Sequence, residues 1–328
     1  MTKAFSNLMK EVQSGKFVLT GELEPVKTTD ISSTIAEAKS LMGYVTACNV
    51  TDNPSSYAAV SSLVSAYLVQ KEAGMETIYQ IRCADRNRIA LTSDLLGAAV
   101  LGLKNVLALT GDHTLLGDMP NAKPVFDLDA TLLTGMIRRM VDEGKDLNGT
   151  EIQGSRPQFN IGVAANPNAD PIEPEILKVV RKVENGADFV QTQVCYNIDK
   201  TIEFLRMFRI FNVPVLIGVF PMKSYGVAAE FDKFVPGVNV PKELLSKFKK
   251  VKQQQISKAE KREKYDQINI EFFAPFISEL KKSSLCAGCH IMSVHYAEII
   301  PKLLVEARIK KAVSPKIAPS AVIPSSSS

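Results

Sequence analysis

The chain has 328 residues, of which 45% are hydrophobic and 23% are charged, close to the averages of soluble globular proteins. The net charge of +4 is too small to indicate nucleic acid as a partner by itself. No apolar run approaches the roughly 20 residues that cross a bilayer, and the first residues contain no apolar core of the signal-peptide kind, so we expect a cytoplasmic protein that does not enter a membrane.

Helix-like and strand-like segments alternate along the chain. A helical segment around residues 5–12 comes first, and a strand over residues 17–25 follows it. Seven more strand-like segments occur, nearly all followed by a helix, and the longest helical region reaches Leu280: 44–54, 76–87, 105–114, 158–171, 187–197, 213–224 and 286–294. Eight such units predict a closed (β/α)8 TIM barrel with an extra amino-terminal helix. We expect residues 1–312 to form this single domain and the Pro/Ser-rich residues 313–328 to be a disordered tail.

Polar residues follow the predicted strands, at the end of a barrel where catalytic residues lie. Glu22 and Glu24 are two positions apart, so both side chains point to the same side of an extended strand. Two carboxylates placed in this way are suited to general acid or base catalysis, and a solvated strand end is the alternative interpretation. Together these polar strand ends predict a pocket for a polar, flat ligand.

Three other features allow two interpretations each. Asp112 follows a buried strand and a glycine, which suits either ligand contact or an ordinary helix cap. Arg181 and Lys182 could bind a phosphate, or could interact with the negative end of their helix dipole. The lysine-rich stretch 242–264 is typical of a solvated helix face, and a surface for nucleic acid or a protein partner is the alternative.

Residues 286–290, Cys-Ala-Gly-Cys-His, have the spacing of a c-type haem attachment site. Haem attachment is disfavoured because no export signal is present and cytoplasmic thiols stay reduced. Five cysteines without framework spacing do not predict disulfides, and three histidines do not supply a metal site, so no metal is expected. We expect this stretch to be the last strand of the barrel, with His290 packed and Cys286 and Cys289 near its amino end.

Seven segments together resemble the methylenetetrahydrofolate reductase family in their order and spacing: GELEP, CNVTDNP, QIRCADRNR, VLALTGDHT, VAANPNADP, RKVENGADFVQTQ and GCHIMSV. The resemblance spans about residues 15–310 and is to the short bacterial or archaeal type, which consists of the catalytic barrel only. It implies a flavoprotein of one-carbon metabolism and methionine biosynthesis. The implied reaction reduces 5,10-methylenetetrahydrofolate to 5-methyltetrahydrofolate, with hydride passing through the flavin N5.

The same resemblance implies FAD as the cofactor, with FMN as an alternative, and NADH or NADPH as the electron donor. A homo-oligomer is expected, and neither nucleic acid nor a membrane is an expected partner. Some members of the family work with a partner subunit. The alternative is therefore a barrel subunit of a multi-protein complex, which binds flavin and folate but receives electrons from a partner protein.

Matched to the family position by position, Glu22 corresponds to the general acid that protonates N10 of the folate, and Asp112 to the aspartate beside the flavin N1 and C2 carbonyl. Thr51 corresponds to a flavin contact, and Gln193 and Tyr225 to contacts with the pterin and with folate or nicotinamide. Positions that differ from the best-known bacterial form are also assigned to the site. The remaining flavin-binding residues are expected to be Gln80, Asn166, Asp170, Glu175, Lys178, Arg181 and Lys182, and Tyr296 is the last substrate-binding residue.

Overall fold

The structure is a computed structural model that describes residues 3–235 and 238–309. At its centre, eight parallel strands pair in chain order and close into a barrel, which confirms the predicted (β/α)8 fold. The strands are β1 (Val18–Leu23), β2 (Ala47–Val50), β3 (Thr77–Arg82), β4 (Asn105–Leu109), β5 (Asn160–Ala165), β6 (Phe189–Val194), β7 (Val215–Val219) and β8 (Gly288–Ile291). The expected tail, residues 313–328, lies outside the described residues, and the boundary at 312 stays a prediction.

Helices surround the barrel. They are α1 (Asn7–Gln13), α2 (Ser32–Leu41), α3 (Ser62–Ala73), α4 (Arg88–Val100), α5 (Ala130–Asp142), α6 (Glu173–Glu184), α7 (Ile198–Phe208), α8 (Tyr225–Phe234), α9 (Lys242–Gln253), α10 (Lys258–Ser283) and α11 (Ile299–Glu306). The long helical region predicted before the last strand is three helices, α8, α9 and α10. Local caps fix several starts: Asn87 accepts hydrogen bonds from the first turn of α4, and Ser257 and Glu260 form a capping box on α10.

Helix α1, the predicted extra helix, closes the end of the barrel at the amino ends of the strands. Leu8 and Met9 are buried there against inward-facing apolar side chains, which are Val18, Ala47, Ile78, Leu107, Phe189 and Leu216. Side chains alternate between the two faces of a strand, so the next inward positions lie one layer higher in the barrel. That layer is polar, and it is the floor of the site described below.

The barrel closes between β1 and β8, where Val18 pairs with Gly288 and Thr20 pairs with His290. A Cβ atom on Gly288 would lie 1.9 Å from the carbonyl oxygen of Val18, so this position needs glycine for the two strands to approach. The glycine of the Cys-Ala-Gly-Cys-His stretch thus allows the barrel to close.

Candidate active site

The polar floor of the barrel contains Glu22, the acid predicted from the sequence. Its carboxylate Oε2 lies 3.3 Å from Nε2 of His290, and the two side chains are only 13% and 4% exposed. The other ring nitrogen of His290, Nδ1, lies 3.0 Å from Oγ1 of Thr20. Glu22 and Thr20 share the inner side of β1, and His290 reaches them from the adjacent β8.

The hydrogen bonds behind His290 favour one tautomer of its ring. Asn49 donates to Oε1 of Gln191 at 2.8 Å, and Nε2 of Gln191 donates to Oδ1 of Asn49 at 3.1 Å and to Oγ1 of Thr20 at 3.3 Å. Because the Thr20 oxygen accepts from Gln191, its hydroxyl proton is available for Nδ1 of His290. The proton of the neutral imidazole is then on Nε2, and it points at the Glu22 carboxylate. His290 is therefore placed to donate a hydrogen bond to the acid.

A second acidic group lies beside Glu22 on the rim. Burial raises the pKa of Glu24 to about 7, the negative charge of Glu22 acts in the same direction, and Lys223 opposes both. Burial likewise raises the pKa of Glu37 on α2 to about 7, and the Glu37 Oε1 atom is buried without a hydrogen-bond partner in the described chain. His295 Nδ1 lies 3.9 Å from Oε2 of Glu37. These two carboxyls therefore change protonation near neutral pH.

The loops after β2 and β4 meet on the other side of the mouth. Thr51 is 4% exposed, and its Oγ1 has no hydrogen-bond partner among the described residues. Asp112 is exposed, and its Oδ2 accepts a hydrogen bond from the backbone N–H of Ser55 at 3.1 Å, while its carbonyl accepts from Oγ of Ser56 at 2.7 Å. Asp112 thus joins the β4 loop to the β2 loop. Gln80 is buried on the neighbouring strand β3.

Three of the predicted cofactor residues lie together at the start of α6. The buried Glu175 accepts a hydrogen bond from the backbone N–H of Asn166 at 2.8 Å and forms an ion pair with Lys178 at 2.6 Å. These contacts fix the loop between β5 and α6. Asp170 lies in the same loop with its side chain exposed.

Arg181 and Lys182 do not act as a pair. Successive residues of a helix point about 100° apart, and here Arg181 is exposed while Lys182 is 7% exposed under α6. The Lys182 ammonium donates to the carbonyl of Ala164 at 2.7 Å, and burial lowers its pKa. Both residues lie in the last turn of α6, where positive charge suits the helix dipole.

The predicted folate contacts Gln193 and Tyr225 lie on β6 and at the start of α8. Oε1 of Gln193 accepts from the backbone N–H of Val194 at 2.9 Å, which leaves the amide NH2 group for a ligand. The ring of Tyr225 is half-buried, and the ammonium of Lys252 lies 5.0 Å from its centroid. Gln193 thus lies near the carboxyl end of β6, and Tyr225 follows β7 along the chain.

The structure does not bring Tyr296 to the mouth. Its side chain is fully buried, and its hydroxyl is hydrogen-bonded to Asp266 and Asn269. The guanidinium of Arg262 lies 3.8 Å from the centre of its ring. Tyr296 therefore ties the loop after β8 to α10, and the site proposed below does not include it.

The Cys-Ala-Gly-Cys-His stretch begins before β8 and forms most of it. Cys289 is fully buried and faces the surrounding helices, and burial raises its pKa well above the usual thiol value. Cys286 precedes the strand, and burial raises its pKa to about 12. Among the described residues, no group of three His, Cys, Asp or Glu side chains is arranged to hold a metal ion.

Sequence reasoning identified Glu22 but not the residues that hold it. His290 was expected only to pack, and it is indeed buried, yet it also contacts Glu22. Thr20 lies two positions before Glu22, a spacing that signals a shared strand face. Gln191 was recognisable as a polar residue of the sixth strand, but its contact with Asn49 was not, because that contact joins β2 to β6 across the barrel.

Fold and site together define a (β/α)8 barrel with a largely buried acid near the carboxyl end of its first strand, the end at which barrel enzymes carry their catalytic residues. A family model described as methylenetetrahydrofolate reductase matches residues 7–308. The chain belongs to the methylenetetrahydrofolate reductase family. None of the helices that the structure describes combines the length and apolar character needed to cross a membrane.

Proteins named methylenetetrahydrofolate reductase are similar to this chain at low sequence identity. Methylenetetrahydrofolate reductase 2 of Schizosaccharomyces pombe is 26% identical over 75% of this chain and 39% of its own length, so the chain spans less than half of that protein. The 5,10-methylenetetrahydrofolate reductase of Salmonella typhimurium is 21% identical over 70% of this chain and 72% of its own. A solved structure from Clostridium thermocellum, described as binding two copies of 5-methyl-5,6,7,8-tetrahydrofolic acid, shares the fold: the TM-score is 0.63 at 16% identity, over 93% of this chain and 100% of that one.

Proposed function

We propose that this protein is a flavin-dependent enzyme that reduces 5,10-methylenetetrahydrofolate to 5-methyltetrahydrofolate, with Glu22 as the general acid at N10. One observation supports this above all: Glu22 stands inside the barrel near the carboxyl end of β1, with an imidazole 3.3 Å from one carboxylate oxygen. Family membership supports the same reaction, and the Clostridium thermocellum protein described as binding 5-methyltetrahydrofolic acid supports a folate ligand.

The acid step requires a protonated Glu22, and it requires that the negative charge left on Glu22 after proton transfer is stabilised. When Glu22 gives its proton to N10, the N10–methylene bond opens and leaves an electrophilic iminium at N5 of the folate. Glu22 is then a carboxylate, and Nε2–H of His290 donates to it. A charge-assisted hydrogen bond of this kind contributes about 1.5–3 kcal/mol. His290 therefore stabilises the state that follows proton transfer.

The residues around the mouth fit a flavin. Thr51 presents a buried hydroxyl that has no hydrogen-bond partner among the described residues, and a ligand's ring nitrogen or carbonyl can satisfy such a group. Gln80 is buried on the adjacent strand, and Asp112 and Asp170 add exposed carboxylates. A bound flavin would supply hydride from its N5. We propose that Thr51, Gln80 and Asp112 hold its ring system.

The start of α6 would hold the remainder of the flavin. Asn166 and Glu175 fix the loop, and Lys178 presents an exposed positive charge of the kind that a phosphate requires. Arg181 is also exposed, but it lies in the last turn of α6, away from this loop. Lys182 contributes only if its ammonium leaves the carbonyl of Ala164. FAD and FMN both carry a phosphate, so reconstitution with each flavin distinguishes them.

The pterin and the aminobenzoyl part of folate would contact the opposite wall. Gln193 offers an amide NH2 group to the pterin, and Tyr225 offers an aromatic face for stacking. Gln193 lies near the carboxyl end of β6, and Tyr225 lies at the start of α8, after β7. The folate would therefore enter from the mouth with its reactive end toward β1.

The test is anaerobic spectroscopy of the purified protein reconstituted with FAD or with FMN. We expect 5-methyltetrahydrofolate to reduce the bound flavin and bleach its visible absorption. The Glu22→Gln variant should bind flavin as the wild type does and lose folate-dependent reduction. Failure to bind either flavin would refute the proposal, and full activity of Glu22→Gln would refute the role of Glu22.

A further inference from the structure

Glu22 gives up one proton in each turnover of the proposed reaction, and it must regain one before the next turnover. Its side chain is only 13% exposed, so little of it meets water even before a folate covers the mouth of the barrel. A buried acid of this kind exchanges protons through neighbouring groups or through single water molecules. The neighbours of Glu22 therefore decide how fast it is reprotonated.

His290 contacts Glu22 but is not suited to supply that proton. Its Nδ1 accepts from the Thr20 hydroxyl, so a proton lost from Nε2 would have to be replaced through Thr20. Thr20 accepts in turn from Gln191, which is paired with Asn49 inside the barrel. Thr20, Asn49, Gln191 and His290 are all buried. This side of Glu22 is therefore closed to solvent.

A second carboxyl, that of Glu24, follows Glu22 two positions later along the chain. Alternate residues of an extended strand are about 7 Å apart, a separation that two glutamate side chains span directly or through one water molecule. Burial raises the pKa of Glu24 to about 7, and the charge of Glu22 raises it further, so the two carboxyls interact. Glu24 therefore both holds and releases a proton near neutral pH.

Glu37 of α2 and His295 of the loop after β8 continue this series toward solvent. Burial raises the pKa of Glu37 to about 7, and among the neighbouring charges Glu298 and Glu24 raise it while Lys223 lowers it. Oε2 of Glu37 lies 3.9 Å from Nδ1 of His295, and its Oε1 is buried without a hydrogen-bond partner among the described residues. The His295 side chain is 46% exposed, so the series ends in contact with water.

The charges around His295 keep its ring neutral. Burial lowers the pKa of His295, and the positive charge of Lys223 in the loop after β7 lowers it too. Glu298, just before α11, is exposed and forms an ion pair with Arg262. A neutral imidazole accepts a proton at one ring nitrogen and donates one from the other, as proton transfer from water to Glu37 requires.

We propose that Glu24, Glu37 and His295 form a proton relay that returns a proton from solvent to Glu22 after each turnover. This inference rests on the proposed function. Glu24 passes its proton to the Glu22 carboxylate, Glu37 passes one to Glu24, and His295 passes one from water to Glu37. At each step one O–H or N–H bond breaks and one forms. One solvent proton enters for each proton that N10 receives, and no electron moves through the relay.

The experiment compares the first turnover with continuous turnover, in the full chain reconstituted with the flavin that it binds. The first turnover is measured by anaerobic mixing of flavin-reduced protein with methylenetetrahydrofolate. Glu22 equilibrates with the buffer before mixing, so this turnover does not need the relay. Continuous turnover uses the same substrate, with reduced methyl viologen as the electron source at a concentration that no longer limits the rate.

The variants remove or keep one titratable group at a time. Glu24→Gln and Glu37→Gln preserve the size of the side chain and remove its proton transfer, whereas Glu24→Asp keeps a carboxyl. Glu279→Gln is the matched control, because Glu279 is an exposed residue near the end of α10. Thermal unfolding of each variant establishes that it folds.

We expect both relay glutamine variants to complete the first turnover within about twofold of the wild-type rate and to slow continuous turnover by roughly tenfold or more, because proton delivery then limits the rate. Glu24→Asp should keep most of the continuous rate, and Glu279→Gln should keep all of it. Added imidazole, a small acid that titrates near neutral pH, should restore continuous turnover of the glutamine variants and leave the first turnover unchanged.

Three results overturn the inference. The first is that either relay glutamine variant turns over continuously as fast as the Glu279→Gln control. The second is that the first turnover slows as much as continuous turnover, since the residue would then act on the acid or on the substrate site itself. The third is that imidazole restores nothing, which would indicate a structural effect. The proposed function fails separately, if 5-methyltetrahydrofolate does not reduce the flavin of the wild type.

Discussion

Replacing His290 tests whether the acid depends on its buried partner. In the His290→Phe variant a ring still fills the site, but Glu22 loses its hydrogen bond at 3.3 Å and Thr20 loses its bond at 3.0 Å. The bond to Glu22 is buried and charge-assisted after proton transfer, so its loss should cost about 1.5–3 kcal/mol in the transition state. Each 1.36 kcal/mol is tenfold in rate, and we therefore expect the folate step to slow by roughly 10- to 150-fold.

The assay is single-turnover, anaerobic mixing of flavin-reduced protein with methylenetetrahydrofolate. His290→Gln is the matched control, since its amide can still donate to Glu22, and it should recover most of the lost rate. A double-mutant cycle with Glu22→Gln separates the two possible roles of His290. If His290 acts through Glu22, the His290→Phe change should slow the Glu22→Gln protein by no more than about twofold.

Additive losses in that cycle would refute the reasoning, because they would show that His290 acts on the substrate or on the fold independently of the acid. Equal loss of flavin affinity in all three variants would have the same consequence. Flavin binding is therefore titrated for each protein before the kinetic comparison.

The other predictions concern stability and ligand contact. The folded state keeps the proton of Glu24 up to about pH 7, whereas an unfolded glutamate loses it near pH 4.5, so rising pH favours unfolding. Glu24 alone should lower the unfolding free energy by about 2 kcal/mol between pH 5 and pH 8, and a Glu24→Gln variant with an equally steep profile in denaturant titrations would contradict the assignment. Thr51→Val should stabilise the flavin-free protein by about 1 kcal/mol and raise its melting temperature, because it removes a buried hydroxyl that has no partner among the described residues. The same change should weaken flavin binding about tenfold, and an unchanged flavin affinity in fluorescence titrations would exclude Thr51 as a flavin contact. Tyr296→Phe should destabilise the protein by about 1–2 kcal/mol, because it removes the hydrogen bond to Asp266, and it should leave the KM for folate unchanged. A large rise in that KM would show that Tyr296 belongs to the folate site.

Much of the fold follows from local pattern. The strand-like segments around β1 to β8 were each recognisable because apolar residues and turn signals recur within a few positions. The interval between β7 and β8 was less clear, since a continuous helical pattern conceals where α8 ends and where α9 and α10 begin. The predicted architecture was correct while the detail of its longest connection was not.

For the candidate site too, the sequence predicted some features correctly and others not. Strand periodicity and the strand end placed Glu22 and Glu24 together at the barrel mouth, and the family resemblance singled out Glu22 as the acid. Tyr296 follows the last strand as closely as other rim residues do, yet it is buried against α10. Arg181 and Lys182 are adjacent in sequence, but helix geometry sends their side chains to different surroundings. The sequence predicted which segment each of these residues lies on, but not which way its side chain points.

The sequence by itself determined the barrel, its order of strands and helices, the family and the acid on β1, because each of these depends on short-range periodicity or on ordered motifs. Only the tertiary structure decided that His290 contacts Glu22 and that Thr20 and Gln191 orient His290. Thr20 and His290 are 270 positions apart, and they meet because the barrel closes between its first and last strands. No local pattern encodes a contact of that separation, since it exists only after every intervening strand has paired.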